Sequence, residues 1–237
     1  PPFSWPLEPG VGDLAVEDAL PADFGRGVIR WTRGEDSTIH MTGPRAPGWV
    51  SISRAGWMPE TVIAAEDIRF RTHPGFDLVA IGEAIANAKS DERIRGGSTI
   101  TQQLAKNLFL DGRRTLRRKL RELLLALSLE ARMSKDAILA LYLNVVEFGP
   151  GLIGINEAAD AWFLKTPDRL SPREAAFLAS ILPAPKMWHA RIRETGRVPV
   201  SRVNAVLDRM RRRGSLSAAQ HAAARAETLR VVPPAPR

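Results

Sequence analysis

From Pro59 onward the apolar residues recur at intervals of three and four, the period of a helix with one face turned toward a core. The pattern predicts helices over Thr61–Ile68, Leu78–Lys89, Thr99–Leu110, Thr115–Met133, Lys135–Val146, Ile155–Phe163, Pro172–Leu182 and Val200–Arg213, and an Ala-rich last one over Ser217–Leu229. Ser171 before Pro172 reads as an N-cap followed by the first helical position. Residues 1–58 differ in character: they are rich in Pro, Gly and Trp, with short β-prone pieces at Val28–Thr32 and Ser37–Thr42. This predicts an irregular lead-in with a hairpin. The expected fold class is mainly α with a short irregular or β N-terminal lead-in, and Val231 to Pro236 form a tail.

At 237 residues the length suggests one core, since domains commonly run to ~100–200 residues. Lys and Arg number 34 against 26 Asp and Glu, a net charge of +8 that favours anionic partners without choosing among phosphates, nucleic acid and acidic membranes. The absence of cysteine excludes disulfides, thiolate catalysis and cysteine-ligated zinc. The longest charge-free apolar stretches, Ala137–Val146 and Ala175–Pro185, fall short of the ~20 residues of a spanning helix. The opening Pro1-Pro2-Phe3-Ser4-Trp5-Pro6 lacks the basic and apolar blocks of a secretory signal.

Several segments carry candidate chemistry. In the run from Ala65 to Asp77, the carboxylates of Glu66 and Asp67 close an apolar helical turn, and a loop with His73, Pro74 and Gly75 follows. A carboxylate emerging from Val62-Ile63-Ala64-Ala65 is partly desolvated, which suits it to accept a proton; a solvated acidic helix end accounts for the same residues. Gly96-Gly97-Ser98-Thr99 opens a capped helix whose free amides suit an anion, with Gln103 and Lys106, three apart, on one face and Gln102 and Lys106 also neighbours at a spacing of four. An ordinary well-capped helix is the alternative, since the phosphate-loop pattern is absent.

In the stretch from Arg113 to Leu127, Leu116, Leu120, Leu123, Leu124 and Leu127 form an apolar face, while Arg118 and Lys119 stand one turn before Glu122 on a polar one. Salt bridges on a surface helix or a phosphate-neutralising nucleic-acid helix would use the same residues. Leu104, Leu108, Phe109 and Leu110, near Lys106, Arg113 and Arg114, have the composition of a membrane-surface segment or, equally, of core. After Tyr142-Leu143-Asn144, three glycines at Gly149, Gly151 and Gly154 demand tight backbone geometry.

In this order, from about Trp49 to about Leu216, the segments resemble the peptidoglycan glycosyltransferases, in particular their monofunctional members. The resemblance rests on Glu66-Asp67 with Phe70, His73 and Gly75, on Gly96 to Gln103 with Lys106-Asn107, and on Arg118-Lys119-Leu120-Arg121-Glu122. It extends through Tyr142-Leu143-Asn144 to Gly154 and through Glu174 to Pro185. The chain departs from the family at Ala140, where a Glu is common and a supporting ion pair is expected to be missing, and in reading Trp162-Phe163 at an aromatic pair.

The resemblance implies a mainly helical, lysozyme-like glycosyltransferase fold with a cleft between two lobes. Its catalytic domain would run over 49–216, between the lead-in (1–48) and a C-terminal helix and tail (217–237). It implies polymerisation of lipid II into β-1,4-linked glycan strands, with inversion and release of undecaprenyl pyrophosphate. The implied place is the periplasmic face of the bacterial inner membrane, through an anchor preceding Pro1. Glu66 is implied as the general base. Glu122 is implied as a second essential carboxylate that orients cations or helps hold a divalent cation, Mg or Mn, near the pyrophosphate. Asp67, Phe70, His73, Ser98, Thr99, Gln102, Gln103, Lys106, Asn107, Arg114, Arg118 and Lys119 are the implied substrate-binding residues, the cations among them serving the leaving group. Expected partners are lipid II, the growing glycan, the membrane surface and cell-wall synthesis or division proteins, with no nucleic acid. The chain ends at Arg237, so a transpeptidase activity is not expected. The alternatives are a lysozyme-like glycan-cleaving enzyme, which also needs an acidic residue on a helical fold, and a basic nucleic-acid-binding module.

Overall fold

The computed structural model of the chain describes residues 27–33, 36–79, 82, 98–110 and 115–234. It is mainly helical, and its contacts divide it into two compact units, Pro1–Ala46 with Arg69–Leu139, and Pro47–Ile68 with Ala140–Arg237. The single core suggested by length is thus replaced by two units, each assembled from separated stretches of chain, a division that no shift of composition marks. Among the sequence expectations, residues 1–26, Gly96, Gly97, Arg113, Arg114 and most of the helix over Leu78–Lys89 lie outside the described residues.

In the first unit the expected hairpin forms: β1 (Ile29–Arg33) pairs antiparallel with β2 (Asp36–Thr42), Trp31 standing opposite His40. Trp31 is buried, and β1 packs on α2 (Ile100–Phe109), which in turn packs on α3 (Leu116–Arg132). A full capping box starts α2. The Thr99 hydroxyl accepts from the Gln102 amide at 3.1 Å, and the Thr99 amide donates to Gln102 Oε1 at 3.0 Å. Leu104 and Leu108 are buried in this core, so their role is packing and not contact with a membrane; Phe109 and Leu110 are half-buried. The face that α3 buries is also not the one its leucines suggest: Glu122, Ala126 and Leu129 turn inward, while Leu120, Leu124 and Leu127 are exposed. Helix α4 (Lys135–Val145) supplies its first residues, through Leu139, to this unit.

In the second unit α1 (Met58–Glu66) packs on α6 (Pro172–Ile181) and α8 (Val200–Arg212), around Met58, Val62, Ile63, Phe177, Leu207 and Met210. Each such side chain, fully withdrawn from water, contributes about 1.5–3 kcal/mol before entropy is counted. A short ribbon of β3 (Glu147–Gly149) and β4 (Leu152–Ile153) leads into α5 (Gly154–Phe163). Gly154 has φ +81°, and a Cβ there would meet the Asn144 carbonyl oxygen at 2.8 Å, which is the physical demand behind that glycine. Ser171 caps α6 with Glu174 in a capping box, as its sequence suggests.

Helix α7 (Pro185–Thr195) has no counterpart among the sequence expectations, because Pro183 and Pro185 read as breakers. Pro185 instead occupies the first helical position, where its missing N–H costs nothing. Helix α9 (Ala218–Ala226) is fixed by Arg173 of α6, which donates to the carbonyls of Ala224 at 3.0 Å and Arg225 at 3.2 Å. No helix among the described residues is long and apolar enough to cross a membrane.

Candidate active site

The first motif is divided between the units: Glu66 and Asp67 belong to the second, Phe70, His73 and Gly75 to the first. In the second unit Glu66 is the last residue of α1 and Asp67 caps it, the Asp67 amide still bonding to the Ile63 carbonyl at 3.1 Å. A carboxylate at this end meets the negative pole of the helix dipole, which opposes its charge. Two cations of the α8 region offset that pole. Arg209 donates to the Ala65 carbonyl at 3.2 Å, and Arg213 donates to the carbonyl of Ile68. Glu66 is half-buried and Asp67 buried. Tyr142 of α4 is fully buried, and burial first, then the charges of Glu66 and Asp67, push its phenol well above the ordinary range. Asn144, two residues on, clamps the backbone of Val50: Nδ2 donates to its carbonyl at 2.8 Å and Oδ1 accepts from its amide at 2.9 Å. Nδ2 also reaches the carbonyl of Ala140 at 2.7 Å.

In the first unit the motifs meet through short polar contacts. The Thr99 hydroxyl donates to the Gly75 carbonyl at 2.7 Å, and the Gly75 amide donates to His73 Nδ1 at 3.1 Å. With Nδ1 accepting, the ring proton of His73 sits on Nε2. Gly75 has φ +98°, and a Cβ there would meet Glu130 Cγ at 3.0 Å and the Ala126 carbonyl oxygen at 3.2 Å. Lys135 binds the loop from below: its ammonium donates to the His73 carbonyl at 2.6 Å and to Glu130 at 2.7 Å, and lies 4.7 Å from the centre of the Phe70 ring. Thr101 donates to the same Glu130 at 2.5 Å. Lys135 and Glu130 were not among the candidates read from sequence, and Tyr142 entered only as part of the Tyr-Leu-Asn segment, without a role. A lone Lys opening a helix, a Glu inside an amphipathic one and a Tyr in an apolar run carry no local sign of what they will meet.

The basic helix shows a separate arrangement. Lys119 pairs with Glu122 and donates to Ser98 Oγ at 3.1 Å, which joins the Gly-Gly-Ser-Thr and Arg-Lys-x-x-Glu segments. Glu122 is 5% exposed and Lys119 50%, so the carboxylate is sequestered while its cation faces outward. Arg118 is half-buried; the Thr115 hydroxyl that caps α3 accepts from its backbone amide at 3.1 Å. On α2, Gln102 is buried, Gln103 and Asn107 are half-buried and Lys106 is exposed. Arg114 lies outside the described residues.

A divalent cation held by protein needs several oxygen ligands. Among the described residues no group of three His, Cys, Asp or Glu side chains is placed to hold one, and one Glu122 oxygen is engaged by Lys119.

The described residues are mainly helical; one unit carries the acidic pair that ends α1, and the other carries on α3 a cation held by a buried carboxylate. The chain matches the transglycosylase family model over residues 37–211 and belongs to that family. It is 43% identical over 187 residues to the biosynthetic peptidoglycan transglycosylase of Salmonella enteritidis PT4 (strain P125109), covering 76% of this chain and 75% of that protein. The same figures hold for the protein of that name from Salmonella gallinarum (strain 287/91 / NCTC 13346). Among solved structures, penicillin-binding protein 1A from Haemophilus influenzae aligns with a TM-score of 0.36 at 23% identity, over 57% of this chain and 16% of that one.

Proposed function

We propose that this protein is a peptidoglycan glycosyltransferase that polymerises lipid II into β-1,4-linked glycan strands and releases undecaprenyl pyrophosphate. It acts at the periplasmic face of the inner membrane, where such a lipid-linked substrate resides. Family membership and the identity to biosynthetic peptidoglycan transglycosylases support the reaction class. The observation that carries the reading is the cation at Lys119, held by the buried Glu122 and by Ser98. Such a group, positioned in advance, suits charge developing on a departing pyrophosphate, whereas hydrolysis of a glycan has no anionic leaving group to stabilise.

In the reaction, the acceptor's 4-hydroxyl oxygen bonds to the anomeric carbon of the donor as the carbon–oxygen bond to pyrophosphate breaks. The electron pair leaves with the pyrophosphate, and the hydroxyl proton passes to Glu66. Direct displacement converts the α-linked donor to a β-linked product, with no covalent sugar–enzyme intermediate. Lys119, Arg118, Lys106 and Arg114 serve the leaving group, Glu122 orients Lys119, and Asp67, Phe70, His73, Ser98, Thr99, Gln102, Gln103 and Asn107 shape the binding surface.

Labelled lipid II incubated with the purified protein should be converted to polymer that a muramidase cuts back to disaccharide units. Glu66→Gln should lower this by ~100- to 10,000-fold with an unchanged melting temperature, and Asp67→Asn should do less. Soluble muropeptides released from purified cell wall, without polymer from lipid II, would instead indicate a glycan-cleaving enzyme.

A further inference from the structure

Lys135 is the first residue of α4, a position that does not suit a cation, because the positive pole of the helix dipole opposes its charge. Its side chain is only 21% exposed, so the ammonium gives up most of its water and needs acceptors in return. It has three. The His73 carbonyl accepts at 2.6 Å, Glu130 Oε1 accepts at 2.7 Å, and the face of the Phe70 ring lies 4.7 Å away.

These acceptors lead to different parts of the first unit. Glu130 stands on α3, and its Oε1 also accepts from Thr101 of α2 at 2.5 Å. Phe70 is fully buried, and the His73 ring stands edge-on to it, with ring centres 6.2 Å apart. His73 is therefore held at its carbonyl by Lys135 and at its ring by Phe70 and the Gly75 amide. The other ties of this loop differ in kind. Arg69 and Asp77, 2.7 Å apart, link the loop to itself. Arg71 and Asp136 reach across to α4 at 2.8 Å, but both side chains are exposed and such pairs hold little.

We infer that Lys135 is a positioning residue for His73: its ammonium fixes the backbone carbonyl on one side and the Phe70 ring on the other, and so sets the imidazole that Gly75 engages at Nδ1. The inference rests on the reading of His73 as a substrate-binding residue of a glycosyltransferase. A side chain ordered before the substrate arrives does not draw its ordering cost from the binding energy. Loss of the ammonium acts on affinity for lipid II and not on proton transfer to Glu66.

The chain contains four histidines, so nitrogen-15 labelling of histidine gives a small set of ring signals, and His73→Gln identifies those of His73. At mildly alkaline pH, where an ordinary imidazole is neutral, wild-type His73 should show a protonated Nε2 and an unprotonated Nδ1. In Lys135→Met this pattern should give way to a mixture of tautomers, while the signals of His189 and His221, in the second unit, stay in place. KM for lipid II should rise by about 10- to 100-fold with kcat changed far less. Asp136→Ala removes the exposed pair at the next residue and should leave both readouts at their wild-type values. Lys135→Gln keeps an amide donor for the His73 carbonyl but loses the charge over Phe70, and should fall between wild type and Lys135→Met.

A folded Lys135→Met in which either the His73 signals or KM stays at the wild-type value would overturn the inference. Should that variant not fold, the same result in Lys135→Gln would do so. Failure of both to fold would assign Lys135 to stability alone and overturn it equally. The histidine spectra need no substrate, so their outcome is distinct from failure of the proposed activity, which would appear as wild-type protein that leaves lipid II unpolymerised.

Discussion

The hydroxyl of Thr99 donates to the carbonyl of Gly75 at 2.7 Å, which ties the start of α2 to the loop carrying His73. The same oxygen accepts from Gln102, so one side chain both caps a helix and holds a loop. Thr99→Val keeps the shape and removes both bonds. Its stability should fall by about 1–3 kcal/mol in urea unfolding, while Thr99→Ser should lose far less. Gly75→Ala should cost a comparable amount, since its φ is positive and the new methyl group meets Glu130 and Ala126.

Lys119→Ala should reduce lipid II polymerisation by an amount equivalent to about 2–4 kcal/mol, as for a lost oxyanion donor. It should also destabilise the fold, because Glu122 is left buried without its cation. The loss should be smaller than the ~3–5 kcal/mol of a wholly buried pair, since Lys119 is half exposed. Adding Glu122→Gln to Lys119→Ala should restore stability and not activity. Urea unfolding and polymerisation assays on the two variants separate the effects.

Asn144 should prove structural. Asn144→Ala removes three hydrogen bonds to the backbones of Val50 and Ala140 and should lower stability by about 2–3 kcal/mol. Asn144→Asp should be worse than Ala at neutral pH, because a carboxylate oxygen then faces two carbonyl oxygens, and acidification should narrow the gap. Thermal melts of both variants at two pH values check the order.

The contact between α8 and α9 should weaken in acid. The His221 hydrogen bond, aided by Arg225, holds the Asp208 carboxyl below the usual carboxylate range. A depressed folded value means that the contribution is complete above the unfolded value near ~4 and is lost as pH falls through the folded one. Asp208 is 39% exposed, so solvent screening limits Asp208→Asn to about 1 kcal/mol or less at neutral pH. The difference from wild type should close below that range, which unfolding curves across pH would register.

Much of the architecture was readable before folding. Helix starts at Thr99, Thr115, Ser171 and Ser217 carry side chains that accept from the third helical amide, so local chemistry marks them without tertiary information. The pairing of Lys119 with Glu122 follows from three-residue spacing on a helix in the same way. Helix α7 was not readable, because a proline ends one helix and opens another by the same missing N–H.

By itself, then, the sequence determined the helical periods, the caps, the family and the residue types of the candidate site, all of them properties of neighbours within a few positions. Tertiary structure decided which surfaces those helices bury. On α3 the leucines at 120, 124 and 127 face outward and Glu122 faces inward, since an amphipathic pattern states that two faces differ, not which one a neighbour will cover. It also decided that Lys135 would gather Phe70, His73 and Glu130, and that Tyr142 would feel Glu66 and Asp67. Phe70 and His73 are far along the chain from Lys135, as Glu66 and Asp67 are from Tyr142, and only the closing of long loops brings such groups within range of one another.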